Sequence, residues 1–366
     1  MEAAAIKITR RKLKLLVNDH EKTAAAVNLI YVNDTQPGIL RLSKGNSFVY
    51  KIKNKTVTDF DTLARIKSLV IPPAWKNVWI CADENGHLQA TGIDVKNRKQ
   101  YKYHPLWNKL RNHTKFFNLH DFGLALPTMR ERLQQDLRRQ GLPQEKVLAA
   151  VVSLMQCTCI RIGNSFYEKM NGSFGLTTLK DQHVKINGHS VKFSFKGKKG
   201  VYHDITMKSR KLARIVQACK DIPGKELFQY YDEKGDRKSI DSGMVNNYIR
   251  QISGGNFTAK DFRTWAGSLH ALRAFQQLGY CDTATETKRK VVEALDMVAK
   301  QLNNTRTVCK KYYVHPALIE LYSDKSLEKF FSKTESENCS PQETELSFEE
   351  KILLTILTTH GHQVVV

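Results

Sequence analysis

The sequence predicts an α+β protein, a small β-rich N-terminal domain followed by a larger, mainly α-helical domain. Two observations point to the division. Between Gly38 and Tyr103, short runs rich in β-branched and aromatic residues are separated by Gly, Asn and Asp turn signals. Beyond Pro105 the hydrophobic spacing becomes that of amphipathic helices. With 366 residues, 41% of them hydrophobic, the chain can bury more than one core. The expected domains are 1–104 (β-rich) and 105–331 (helical), followed by an acidic, flexible tail over 332–366.

In the first domain Phe48–Ile52, Val78–Cys81 and His87–Thr91 read as strands, Glu84-Asn85-Gly86 as a turn, and Thr62–Ser68 as a helix. It ends in the basic, aromatic segment Lys96–His104, where Tyr101 and Tyr103 share one face of an extended chain and Lys99 and Lys102 flank them. That interleaving suits contact with a nucleic-acid backbone and its bases or sugars; a solvated basic strand would look the same.

In the second domain Pro127–Arg139 and Gln144–Arg161 read as helices joined by Gly141-Leu142-Pro143, and Val147, Val151 and Leu154 form a core stripe. Arg161 arrives at a helix end beside Gly163, placed either to lean over a ligand or to balance the helix dipole. His183–Ile186 and Ser190–Phe195 form a hairpin around Asn187-Gly188, and the glycine-bracketed tip Gly197-Lys198-Lys199-Gly200 leads into Val201–Thr206. Further helices are expected over Ser209–Lys220, Ser242–Ile252, Ala259–Gln277, Asp282–Leu302 and Pro316–Phe331. Between Ser332 and Lys351 six glutamates meet two lysines, hence the flexible acidic tail; Ile352–Leu357 could form a short docking helix.

Charge narrows the function. The 58 Lys+Arg against 36 Asp+Glu give a formal +22, which calls for a polyanionic partner, nucleic acid first. No run reaches the 18 or so apolar residues of a membrane span, and Met1–Leu16 has neither a continuous apolar core nor a cleavage site, so a soluble, cytoplasmic protein is expected. The 7 cysteines are scattered without a C-x-x-C pair, which fits reduced thiols rather than a disulfide framework or zinc site. There is no P-loop, no Asp-rich magnesium motif and no His/Cys cluster, so neither cofactor nor metal is expected.

Lys310 and Lys311 run directly into Tyr312 and Tyr313. A phenol is a poor nucleophile at its free pKa of about 10, and cations that grip a phosphodiester could also activate it. Half-buried packing is the alternative for such a pair.

The strings I-R-I-G-N (160–164), G-S-F-G-L-T-T-L (172–179), F-K-G-K (195–198), A-K-D-F-R-T-W-A-G (259–267) and N-T-R-T-V-C-K-K-Y-Y-V-H-P (304–316) resemble type IB DNA topoisomerases of the bacterial and poxvirus-like kind. I-P-P-A-W (71–75), H-L-Q-A-T-G (87–92) and R-K-Q-Y-K-Y-H-P (98–105) resemble the N-terminal domain of the bacterial branch. The resemblance spans about Gly38 to Asp324 and implies a two-domain clamp on duplex DNA, monomeric and associated with the nucleoid.

Carried over by position, it implies Tyr313 as the nucleophile forming a 3′-phosphotyrosyl link, and Arg161 and Arg263 as holders of the non-bridging oxygens. Lys198 would be the general acid on the 5′-oxygen. Asn304 would be a hydrogen-bond donor where viral and eukaryotic members have histidine. Gln100, Tyr101, Tyr103, Gly163, Asn164 and Tyr167 match family DNA contacts. Arg306 and Lys199 depart from the family pattern, and the tail has no counterpart in it. A tyrosine recombinase or integrase would use the same residue types, but its second arginine usually sits in H-x-x-R, against Asp261-Phe262-Arg263 here. A non-catalytic DNA-binding protein is the alternative from another class.

Overall fold

The computed structural model describes residues 7–8, 19–45, 47–95, 97–332, 343–360 and 364–365. Most of the Met1–Leu16 stretch, Lys96 in the basic segment, and 333–342 of the expected tail lie outside the described residues. The chain divides between Phe117 and Asn118 into two compact units.

The first unit begins with strand β1 (Lys7–Ile8) and helix α1 (His20–Ala25), capped by the Asp19 carboxylate, which accepts from Lys22 N at 3.0 Å. Six strands follow: β2 (Ile39–Lys44), β3 (Ser47–Ile52), β4 (Lys55–Thr56), β5 (Lys76–Ile80), β6 (Leu88–Ile93) and β7 (Lys99–Tyr103). They form one antiparallel sheet in the order β4-β3-β2-β5-β6-β7. Helix α2 (Phe60–Ser68) supplies Ile66 to a core with Ile39, Val78, Ile80 and Ala90.

The N-terminal motifs are structural devices of this sheet. Buried Arg41 donates to the carbonyls of Pro72 (3.1 Å) and Trp75 (2.7 Å), fixing the I-P-P-A-W loop whose two prolines contribute no N–H of their own. In H-L-Q-A-T-G, Gln89 closes the preceding turn by donating to the carbonyls of Glu84 (2.8 Å) and Gly86 (2.7 Å). Gly92 leaves room for Trp75, which a Cβ would meet at 2.8 Å.

Helix α3 (Pro105–Leu137) is continuous through Pro127, where the sequence predicts a start. The division into units falls within it rather than at Pro105, because Trp107, Leu110 and Phe117 pack with Ala24, Val27 and Leu29 of the first unit.

In the second unit α4 (Gln144–Thr158) carries the predicted stripe, with Val147, Val151 and Leu154 buried. It stops three residues short of Arg161 because Cys159 adopts the left-handed conformation (φ 55°, ψ 17°) and caps it. After α5 (Ser165–Asn171), strands β8 (Val184–Asn187), β9 (Ser190–Lys196) and β10 (Tyr202–Lys208) make a three-stranded antiparallel sheet. Helix α6 (Arg210–Lys220) and the small hairpin of β11 (Gln229–Tyr231) and β12 (Arg237–Ser239) lead to α7 (Ser242–Ser253). Next come α8 (Ala259–Leu278), α9 (Ala284–Leu302), α10 (Arg306–Tyr312), α11 (Pro316–Ser323) and α12 (Glu328–Ser332). The predicted single helix from Pro316 to Phe331 is two, separated where Lys325 takes a φ of 63°.

The flexible-tail expectation for 332–366 is corrected over its second half. Phe348–His360 forms a helix, α13, with Ile352, Leu353, Ile356 and Leu357 buried. Its Glu350 is buried as well, accepting from Arg130 Nη2 (2.7 Å), Arg130 Nη1 (3.0 Å) and Trp265 Nε1 (3.1 Å). Local composition counts Glu350 as acidic surface; tertiary partners make it a buried anchor. Strand β13 (Val364–Val365) pairs with β1 in the first unit.

Candidate active site

The second unit gathers Arg161, Arg263, Asn304 and Tyr313 from four segments. Arg161 lies in the extended chain after α4, and the G-S-F-G-L-T-T string holds that chain in place. Leu176 N donates to the Arg161 carbonyl (2.9 Å) and Thr177 N to that of Ile162 (2.7 Å). The approach is so close that a Cβ on Gly175 would lie 2.5 Å from the Arg161 oxygen and from Gly163 Cα; Gly163 itself has a φ of +94°. Both glycines are therefore required by the backbone.

Arg263 projects from the first turns of α8 and is 5% exposed. It donates to the carbonyls of Cys159 and, at 2.9 Å, Leu302, which ties it to the end of α4 and the end of α9. Those carbonyls are available because each terminates a helix. A guanidinium has five N–H groups, so others remain, and Arg263 Nε is buried without a partner among the described residues.

Asn304 follows Asn303, whose left-handed conformation (φ 47°, ψ 60°) ends α9. Its side-chain oxygen accepts from Arg161 Nη2 at 3.0 Å, while its Nδ2 is likewise buried without an acceptor among the described residues.

Tyr313 is the C-cap of α10, with its N–H donating to the Cys309 carbonyl at 3.0 Å. The Arg263 guanidinium lies over its ring, 5.2 Å from the centroid. Burial pushes the phenol pKa up, but Arg263, Arg161 and Lys198 outweigh it and hold it below the ordinary tyrosine value. Ser268, one turn after Thr264, fixes the backbone here: its hydroxyl donates to the Tyr313 carbonyl and accepts from His315 N, both at 3.1 Å.

Lys198 sits where the sequence predicts, on the tight turn Lys198–Gly200 between β9 and β10, with Lys199 at a φ of 63°. It is exposed. Tyr312, the adjacent phenol, has the Lys311 ammonium 5.4 Å from its ring centroid. Arg306, a departure from the family pattern, pairs with Asp296 at 2.8 Å on the surface.

The candidate DNA contacts fall in both units. In the first, Tyr101 and Tyr103 are exposed on one face of β7, their rings 6.0 Å apart and nearly parallel, and Lys99 shares that face. Gln100 lies on the opposite face and donates to Asp94 at 2.9 Å, so it is placed apart from the tyrosines. In the second, Asn164 caps α5 by accepting from Phe166 N (2.9 Å), and Tyr167 is 54% exposed on that helix.

Residues 99–338 match the eukaryotic DNA topoisomerase I catalytic core, and 47–94 match the bacterial DNA topoisomerase IB N-terminal domain. The DNA topoisomerase 1B of Acanthamoeba polyphaga mimivirus is 33% identical over 298 residues, 78% of this chain and 88% of that one. The chain belongs to the type IB DNA topoisomerase family. The DNA topoisomerase 1B of Vaccinia virus (strain Copenhagen) and the DNA topoisomerase I of Monkeypox virus are each 23% identical over 248 residues, 66% of this chain and 75% of theirs. The protein is thus a type I topoisomerase whose partner is DNA. Among the described residues of this topoisomerase no helix is long and apolar enough to cross a membrane.

Sequence reasoning missed several residues that build the site. Gly267 and Ser268 back Tyr313, and His203 and Asn303 join the Lys198 turn to the Asn304 loop. Gly267 closes the A-K-D-F-R-T-W-A-G string and Ser268 follows it, but only the fold tells what they touch.

Proposed function

We propose that Tyr313 Oη attacks a DNA phosphodiester, forming the 3′-phosphotyrosyl bond as the bond to the 5′-oxygen breaks. Lys198 gives a proton to that oxygen, and the phenol proton passes to water. Arg161 and Arg263 neutralise the non-bridging oxygens as charge builds on the pentacoordinate transition state, while Asn304 positions one of them by hydrogen bond. The free 5′ end swivels, and the reverse attack reseals the strand. Phosphodiester is exchanged for phosphodiester, so the bond's energy is conserved and no ATP is consumed. The arginines and the lysine supply the positive charge, and a bound metal is not obligatory.

The observation that carries this reading is the stack of Arg263 on the Tyr313 ring, 5.2 Å from the centroid, beside two buried N–H donors that lack acceptors among the described residues, Arg263 Nε and Asn304 Nδ2. An unsatisfied buried donor costs about 1–3 kcal/mol; a phosphate oxygen would supply what both lack. In the first unit, Tyr101 and Tyr103 with Lys99 would contact the duplex, and in the second Gly163, Asn164 and Tyr167 would do so. Gln100 would join them after release from Asp94. The working form is a monomer closing around DNA in the nucleoid, with affinity set by counterion release from a chain of formal charge +22.

Incubation with supercoiled plasmid in EDTA and without ATP tests the proposal. Relaxation of both positive and negative supercoils is expected, without any paired recombination site. Complete loss of activity on chelation, or a mobility shift without relaxation, would overturn it.

A further inference from the structure

The turn carrying Lys198 is braced by a histidine that the proposed chemistry does not use. His203 is 3% exposed and sits in β10 opposite Phe195 of β9; their rings stack 4.8 Å apart with planes 3° from parallel. The edge of the imidazole lies on Gly197, where a Cβ would come within 2.4 Å of Nε2. Gly197 anchors the turn, donating its N–H to the Val201 carbonyl (2.7 Å) and accepting from Gly200 N (3.1 Å). Lys198 is the next residue.

On the other side, His203 Nδ1 accepts from Asn303 Nδ2 at 3.1 Å. Asn303 in turn leads into Asn304, which holds Arg161. One imidazole therefore touches both the Lys198 turn and the loop that organises the phosphate-binding groups. Burial, and then the charges of Arg161 and Arg263, hold its pKa at about 4. The ring is neutral near pH 7, its proton on Nε2 and its Nδ1 open as an acceptor; an imidazolium would offer Asn303 none.

We propose that His203 is a positioning residue that fixes the Lys198 turn against the Asn303–Asn304 loop, and so sets where the lysine ammonium stands relative to the leaving 5′-oxygen. The inference rests on the reading of Lys198 as proton donor. An exposed lysine on a flexible four-carbon stem has no preferred position of its own, so the base of its turn must be fixed for the ammonium to be delivered reproducibly.

The test is single-turnover cleavage of duplex DNA whose scissile 5′-bridging atom is oxygen or sulfur. In both substrates the Tyr313 Oη–P bond forms as the bond from phosphorus to the leaving atom breaks. Oxygen takes a proton as it leaves, whereas sulfur leaves as a thiolate without one. His203→Ala and Asn303→Gly are compared with Lys198→Ala and Arg161→Ala. Asn303→Gly suits the left-handed backbone and removes the amide with its short methylene, so it remains informative should His203→Ala fail to fold.

Both variants are expected to cleave the oxygen substrate about 10- to 100-fold more slowly, the scale of a misplacement near 1 Å. Sulfur is expected to restore most of that loss, as for Lys198→Ala, and not to restore Arg161→Ala. His203→Asn, which returns an acceptor near the Nδ1 position, should regain part of the rate. Undiminished cleavage by both variants, or a loss that sulfur leaves unchanged, overturns the proposal. If sulfur fails to rescue Lys198→Ala itself, the general-acid reading falls first, and the service of His203 to it falls too.

Discussion

Gly267 of α8 lies directly against Tyr313, so closely that a Cβ there would meet both the Tyr313 Cβ and its carbonyl oxygen at 2.7 Å. The contact is with backbone, which cannot rotate away. Gly267→Ala should therefore displace Tyr313 from under Arg263 and slow covalent adduct formation by about 100-fold or more, while leaving DNA affinity within a few-fold. Adduct formation at the undiminished rate would mean that the backbone at 313 tolerates the shift.

The second prediction concerns α13. Because Glu350 is buried against Arg130 and Trp265, Glu350→Ala should lower the unfolding free energy by about 3–5 kcal/mol, as expected when one partner of a buried pair is removed. Burial alone would raise the Glu350 pKa, but Arg130, the Ser347 amide and Trp265 draw it below the usual glutamate range. Its contribution is accordingly present above the unfolded-state value and lost as pH falls through the folded one. Urea unfolding at neutral pH provides the check; a change under 1 kcal/mol would contradict an anchoring role. Deleting 343–366 should destabilise the second unit likewise, even though every proposed catalytic group precedes it.

Histidines set the third. His203 and His315 are each held at about 4 in the folded protein, His203 by burial and the two arginines, His315 by burial and His360. The unfolded chain takes up protons near 6.5, so the native state binds fewer protons between about 6.5 and 4 and loses stability as pH falls through that window. The slope approaches about 1.4 kcal/mol per pH unit for each histidine. Melting temperature should drop steadily from about pH 7 to pH 5, and His203→Asn should flatten part of that drop. An unchanged melting temperature across this range would contradict buried neutral rings.

Much of this organisation is legible in the sequence because it is local. Turn glycines around Lys198, the helical stripe of α4 and the alternating strands of the first unit are properties of a few neighbouring residues. The strings that carry the proposed catalytic residues are legible through resemblance. What stays hidden is set by contacts across the chain: nothing near Glu350 announces that Arg130 and Trp265 bury it, and nothing near His203 points to Asn303. The stop of α4 before Arg161 depends on a left-handed Cys159, a residue type without strong preference for that conformation. Pro127 reads as a helix start, yet α3 runs through it.

The choice between two adjacent tyrosines is the most direct test of the account. Tyr313 lies under Arg263, whereas Tyr312 is covered by Lys311. Tyr313→Phe removes only a hydroxyl and should bind DNA almost normally, and Tyr312→Phe should retain cleavage. The measurement is whether end-labelled DNA stays attached to each variant after denaturation in detergent. Attachment to Tyr312→Phe and none to Tyr313→Phe is the predicted result; attachment to Tyr313→Phe would contradict the assignment of the nucleophile.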